Sequence, residues 1–289
     1  MIRASAAASF PRCDCLLAQR RLFSGFDTLP APPQSDSVSL PPSSRSRLVS
    51  TGTISALPLA MTSITLYYDV VSPWTLFAYQ VLKRYRQPWD FQLVLKPMFL
   101  GGVMQASGNK PPITVKNKGI WMNQHDLPLQ AAFTQTPYKF PETFPLNTIH
   151  CMRTLRAIAD VAPDKLEKAT DLFFGAVWNP PAGTRAEEAI QPSAFPKLLG
   201  TNGLFSGDEI ENIMKLSTSD DIKNKLKTES GQLVEEGAFG FPWMVAKRSD
   251  GQTRPFFGSD RFDPMAFWLG KEWQGPLADG RKPAGLPKL

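Results

Sequence analysis

The stretch Ile64-Thr65-Leu66-Tyr67-Tyr68-Asp69-Val70-Val71-Ser72-Pro73-Trp74-Thr75 decides the fold. The run from Ile64 to Val71 is β-branched, aromatic and aliphatic, and of strand length. Ser72 is a good N-cap, and Pro73 suits the first helical position, where its missing N–H is one that a helix start leaves unpaired. Trp74, Phe77, Ala78, Val81, Leu82 and Tyr85 then recur at helical spacing, so a core-facing helix follows the strand directly. Pro88 closes that helical region. From Asp90 to Pro97 the residues alternate, with Phe91, Leu93 and Leu95 on one face of a second strand. Strand, helix and strand in so short a span make a βαβ unit with parallel strands and a right-handed crossover.

Beyond this unit, from Leu100 to Gly237, the signals are helical. Thr148 to Val161, Asp164 to Trp178, Ser206 to Leu216 and Ser219 to Glu236 each carry an N-cap residue or a 3.6-residue apolar stripe, and Pro163 separates the first two. Strand character returns at Trp243 to Lys247. A turn at Ser249-Asp250-Gly251 and a run from Thr253 to Phe257 complete a hairpin, and a last helix is expected to open at Ser259 or Asp260. Strand, helix, strand, then strand, strand, helix is the thioredoxin order. The fold class read from it is α/β, thioredoxin-like, with a large all-helical insertion of the DsbA-like kind. The expected organisation is a discontinuous thioredoxin-like domain, 61–100 with 237–289, around an inserted helical domain, 101–236.

Residues 1–60 are rich in Ser, Ala, Pro and Arg and carry no Glu or Lys. Such a composition matches a transit segment followed by a disordered tether, and Arg20-Arg21-Leu22-Phe23-Ser24 resembles a matrix-presequence cleavage site. Met61 stands just before the first strand and is the alternative starting point. At the other end, Pro287-Lys288-Leu289 resembles the Ser-Lys-Leu peroxisomal address. Mitochondrial delivery, with peroxisomal delivery beside it, is the expectation.

The chain has 289 residues and a net charge of +6, of which the leader, with six Arg and three Asp, supplies half. The remainder is close to balanced, and its charges interleave as in Asp220-Asp221-Ile222-Lys223-Asn224-Lys225, the pattern of a solvated helix face. A nucleic-acid partner is therefore not expected. Nor is membrane insertion, since Leu172-Phe173-Phe174-Gly175-Ala176-Val177-Trp178 falls far short of the roughly 18 apolar residues a span needs. With only Cys13, Cys15 and Cys151, and only His125 and His150, neither a disulfide scaffold nor a zinc cluster is expected.

In a thioredoxin-like chain the reactive group sits where the first strand meets the first helix, because that helix start offers unpaired N–H groups and a positive dipole end. A redox enzyme carries Cys-X-X-Cys there, and this chain reads Ser72-Pro73-Trp74-Thr75. The protein itself therefore lacks the thiols for disulfide exchange, but a bound thiol could use the same place. Phe241-Pro242 precedes the third strand, where a cis proline leaves neighbouring backbone groups free to pair with a peptide. Gly258-Ser259-Asp260-Arg261 gathers a hydroxyl, N–H groups and a carboxylate suited to the two charged ends of a γ-glutamyl group.

These blocks, together with Asp69-Val70-Val71, Gly108-Asn109-Lys110-Pro111-Pro112, Lys118-Gly119-Ile120-Trp121-Met122 and Asp250-Gly251-Gln252-Thr253, resemble the kappa-class glutathione transferases in order and spacing, from about Ile64 to Gly275. The resemblance implies a homodimer that uses glutathione as co-substrate against a small electrophile, with peroxide reduction as a further activity and no permanently bound cofactor. It places the thiol-stabilising serine on Ser72. The glutathione contacts fall on Ser72, Pro73, Trp74, Asn109, Phe241, Pro242, Ser259 and Asp260. Trp74 and Phe241 depart from the tyrosine and leucine more usual at those positions, and their bulk is expected to narrow the electrophile pocket. Two other readings stand beside this one. The first is a glutathione-dependent 2-hydroxychromene-2-carboxylate isomerase, and the second a non-enzymatic module binding extended peptides at the proline edge.

Overall fold

The computed structural model describes residues 61–281. The leader 1–60, with Cys13 and Cys15, and the Pro287-Lys288-Leu289 terminus lie outside the described residues.

Four strands, β1 (Ser63–Tyr68), β2 (Gln92–Pro97), β3 (Trp243–Lys247) and β4 (Thr253–Phe257), form one sheet in the order β2-β1-β3-β4. β1 runs parallel to β2, while β1 with β3 and β3 with β4 are antiparallel. The period-2 pattern of β1 buries Ile64, Leu66 and Tyr68 completely on one face. The register sets Leu66 beside Leu95 and Met244, and Met244 beside Phe256, so the apolar side chains of all four strands share a face. Helix α1 (Pro73–Tyr85) packs Phe77, Ala78, Val81, Leu82 and Tyr85 into that core. Each large side chain fully buried there contributes about 1.5–3 kcal/mol relative to exposure. The opposite face, with Tyr67, Trp243 and Val245, joins a second cluster with Val103, Leu233 and Phe241.

Ten further helices follow in chain order among the described residues. They are α2 (Leu100–Ser107), α3 (Lys116–Trp121), α4 (Leu127–Phe133), α5 (Ile149–Val161), α6 (Leu166–Trp178), α7 (Ala186–Ala189), α8 (Phe195–Leu199), α9 (Gly207–Ser217), α10 (Asp220–Glu235) and α11 (Phe262–Leu269). All but the last lie between β2 and β3, so the chain is an α/β thioredoxin-like fold with a helical insertion. Polar stitches fix the insertion to the sheet: Tyr68 Oη pairs with Thr170 Oγ1 at 2.6 Å, and Trp178 Nε1 donates to the Val70 carbonyl at 2.8 Å. Arg156 joins α5 to α10 by donating to both carboxylate oxygens of Glu229, at 2.9 and 2.8 Å. Between α3 and α4 the helix widens into a π turn, Met122–Asp126, in which the Leu127 N–H reaches the Met122 carbonyl. Pro128 accounts for the widening, since it has no N–H for the carbonyl of Gln124. Among the described residues no helix is long and apolar enough to cross a membrane.

Several boundaries differ from the sequence expectation: β2 opens at Gln92 rather than Asp90, α6 opens at Leu166 rather than Asp164, and two further differences bear on the site. β1 stops at Tyr68, because Asp69 turns the chain and its carboxylate accepts the Val71 N–H at 3.0 Å. The last helix opens at Phe262, with Arg261 as its N-cap, rather than at Ser259 or Asp260. Gly258, at φ +95°, holds those two residues in a turn ahead of the helix.

Candidate active site

Ser72 caps α1 as its sequence suggests: its backbone is extended, at φ −86° and ψ 116°, and its Oγ accepts the Thr75 N–H at 3.2 Å. The same hydroxyl donates to the Phe241 carbonyl at 3.2 Å. That carbonyl belongs to a cis Phe241-Pro242 peptide, so helix start and proline edge meet at one side chain. Ser72 is 4% exposed, so its hydroxyl lies beneath the surface. No acidic residue stands in the first turn of α1 itself. Thr75, in the place of the second cysteine of a redox motif, is fully buried, and its Oγ1 has no hydrogen-bond partner.

The remaining expected residues gather around this centre. Gly108 ends α2 at φ +73° and turns the chain into Asn109, whose Nδ2 donates to the Phe239 carbonyl at 2.7 Å. A Cβ on Gly240 would stand 3.3 Å from Asn109 Nδ2 and 3.2 Å from the Phe257 ring, so a side chain there would have to push both neighbours back by a few tenths of an ångström. The Gly258 N–H donates to the Pro242 carbonyl at 3.1 Å, tying the Ser259-Asp260 turn to the proline edge. Asp260 is exposed and pairs with Arg261. Pro73 is buried as the first residue of α1, and Trp74 is half-buried with its ring edge-on to Phe77. Phe241 corrects one expectation. Its side chain is 4% exposed and packs into the cluster with Met98, Val103 and Leu233, so it presents only backbone to the cleft and does not narrow it.

Two carboxylates of this region were not legible in the sequence. Asp126, in the π turn, is half-buried, and burial followed by the negative charge of Asp260 raises its pKa above the usual carboxylate value. An acid pair in one another's field is suited to a ligand ammonium group. Asp69, fully buried beneath the Ser72 loop, accepts three hydrogen bonds. Cys151, by contrast, lies fully buried on α5, with its thiol pKa pushed up by burial and then by the charge of Asp69. His125 and His150 are exposed, and neither forms a base for Ser72. Among the described residues no three His, Cys, Asp or Glu side chains cluster as metal ligands.

The Gly258 turn is testable by itself. A Cβ there would lie 2.7 Å from Asp260 Oδ1 at a left-handed φ. Gly258→Ala should therefore cost about 1–2 kcal/mol, read as a fall in Tm of about 2–8 °C. An unchanged Tm would show that the turn tolerates a side chain.

Comparison with known proteins gives the family and the fold. Residues 63–269 match the model of the DSBA-like thioredoxin domain. Glutathione S-transferase kappa 1 of Homo sapiens is 34% identical over 225 residues, covering 76% of this chain and 96% of the human protein. The Rattus norvegicus kappa 1 protein is 33% identical, covering 74% of this chain and 93% of its own length. The structure of a 2-hydroxychromene-2-carboxylate isomerase superposes with a TM-score of 0.58 at 20% identity, covering 72% of this chain and 94% of the isomerase. That of a probable DsbA oxidoreductase from Streptomyces coelicolor superposes at 0.51 with 14% identity, covering 78% and 94%. At such identities these two superpositions establish the fold.

Proposed function

Because the chain belongs to the DSBA-like thioredoxin domain family and, within it, to the kappa-class glutathione S-transferases, we propose that its cleft activates the glutathione thiol at Ser72 and delivers it to a small electrophile. The chain is a glutathione transferase, and the residue roles that follow are our reading of its site. The observation that carries them is the hydrogen bond from Ser72 Oγ to the Phe241 carbonyl, which joins the hydroxyl, the helix start and the cis-proline edge.

A free thiol has a pKa near 8.5 and is mostly protonated at neutral pH. The one hydroxyl hydrogen of Ser72 is given to the Phe241 carbonyl. When a peptide pairs with the Phe241 backbone, that carbonyl turns to the ligand N–H, and the hydroxyl is released to donate to sulfur. This donation and the dipole end of α1 both favour the thiolate, whose proton leaves to solvent. A sulfur lone pair then forms the S–C bond, while the displaced electron pair departs with the leaving group or moves into the acceptor. Ser72 remains protonated and forms no covalent bond. Asn109 holds one wall of the peptide groove, and Ser259, Asp260 and Asp126 face the γ-glutamyl end with polar and acidic groups. Glutathione enters and leaves as co-substrate.

Incubation with glutathione and a panel of electrophiles tests this reading. Saturable thioether formation supports it. Rearranged substrate with glutathione returned would instead point to an isomerase, and glutathione retention without turnover to a binding module.

The same reading includes a homodimer and two addresses, the Arg-rich leader for mitochondria and Pro287-Lys288-Leu289 for peroxisomes. Imaging should place the full chain in both organelles. A form starting at Met61 should lose the mitochondrial signal, and one lacking the last three residues should lose the peroxisomal signal. A cytosolic pattern for all three refutes both addresses.

A further inference from the structure

We propose that Asp69 is a positioning residue for the glutathione site, its ionised carboxylate tying the Ser72 loop to the helix that leads to Asn109 and to the start of α5. The proposal rests on the glutathione reading above and deepens it by naming what fixes the site's geometry.

Three segments distant in sequence donate to this one side chain. Asp69 Oδ1 accepts the Val71 N–H at 3.0 Å and the Thr148 hydroxyl at 2.7 Å, while Oδ2 accepts the Leu100 N–H at 2.8 Å. Its main-chain carbonyl also accepts the Ser72 N–H at 3.2 Å. Val71 adjoins Ser72. Leu100 opens α2, whose far end turns through Gly108 into Asn109. Phe99, the N-cap of α2, makes no side-chain cap bond, so Asp69 supplies from another element the anion that this helix start lacks. Thr148 flanks α5 yet gives its hydroxyl to Asp69 rather than capping its own helix. The two segments carrying Ser72 and Asn109 are thus referred to a common anchor beneath the cleft.

The anchor holds most tightly when ionised. Two carboxylate oxygens accept all three donors at full strength, whereas a protonated carboxyl is a poorer acceptor and has a hydrogen to place, so the Thr148 bond reverses or one of the N–H tethers at 2.8–3.0 Å weakens. Asp69 is fully buried, and none of the three donors is a cation. Burial pushes its pKa up to about 6, against the opposing pull of the Val71, Leu100 and Thr148 donors. The titratable side chains against it, Tyr68 on β1 and Cys151 on α5, are themselves raised by burial and stay neutral in this range.

Stability and binding then respond to pH in opposite directions. A carboxyl raised in the folded state contributes stability that is fully present below its unfolded pKa and lost as pH rises through about 6. Acidification through that value therefore restores the Asp69 contribution to stability while it loosens the site. A residue that merely supported the fold would not weaken binding as its own contribution to stability rose.

The test is calorimetric binding of S-methylglutathione to the full chain between about pH 5 and 8. This ligand has no thiol to titrate, and its amine and carboxylates hold their charge below about pH 7, so a pH dependence in that range belongs to the protein. Wild-type affinity should fall below a midpoint near 6, by up to about tenfold per pH unit. Thr148→Val removes one donor without touching a proposed ligand contact, and it should move the midpoint to higher pH. Asp69→Asn should bind more weakly and without that midpoint, because its NH₂ would oppose one of the three donors. An unmoved midpoint in Thr148→Val, or an Asp69→Asn variant with the affinity and pH profile of the wild type, overturns the proposal. A wild-type chain that binds S-methylglutathione at no pH overturns the glutathione reading, and this proposal with it.

Discussion

Replacing Ser72 with alanine is expected to leave a folded chain whose conjugating activity falls by about 100- to 1,000-fold, the loss seen when a single donor aimed at the reacting charge is removed. The structural cost is small by comparison. The cap bond to the Thr75 N–H is worth about 1 kcal/mol, and the bond to the Phe241 carbonyl about as much again. The two effects separate experimentally. Circular dichroism and thermal unfolding should show a native fold with a modestly lowered Tm, while the ultraviolet absorbance of bound thiolate at neutral pH should nearly vanish. Raising the pH should restore part of the rate, because hydroxide can ionise the thiol that Ser72 no longer stabilises. Wild-type turnover in Ser72→Ala would transfer the thiolate's stabilisation to the helix dipole and backbone alone, and the serine-centred mechanism would fail.

The sheet and the site were legible to different degrees, and for physical reasons. β3 and β4 fall where the sequence places them, because an apolar run on each side of an Asp-Gly turn leaves little freedom: Gly251, at φ +86°, closes the turn, and the Gln252 N–H caps onto the Asp250 side chain at 3.0 Å. α1 was equally plain, since Ser72 and Pro73 fix its start and its stripe fixes its face. Ser219, by accepting the Ile222 N–H at 3.3 Å, and Ser206, through a capping box with Glu209, mark the starts of α10 and α9 in the same way. The π turn before Pro128 was not legible, because a proline announces a missing hydrogen bond but not how the ladder will accommodate it. Asp69 escaped for a related reason. In sequence it extends a strand, and what makes it an anchor comes from residues 71, 100 and 148, which only the tertiary fold brings together. Local signals carried the elements, and long-range ones carried the support of the site.

The two side chains whose removal best separates a bound-thiol mechanism from a protein-thiol mechanism are Asp260 and Cys151. Asp260→Ala should raise the glutathione KM by about tenfold to a hundredfold, the range of a charge-assisted hydrogen bond worth about 1.5–3 kcal/mol. Its effect on kcat should be much smaller, because the carboxylate stands at the γ-glutamyl end rather than at the sulfur. An analogue lacking the γ-glutamyl amine should react with wild type and variant alike, which would trace the effect to that ammonium group. Cys151→Ala should keep wild-type KM and kcat, since its thiol is fully buried and its pKa raised by burial, the opposite of a reactive cysteine. No cysteine follows Ser72 in its loop, so the chain has no resolving thiol with which to release an intramolecular disulfide, and disulfide reductase activity should be absent from both variants and from the wild type. If Cys151→Ala were the inactive variant and Asp260→Ala the indifferent one, the enzyme would be working through its own sulfur. The cleft at Ser72 would then be a thioredoxin relic rather than the place where glutathione reacts.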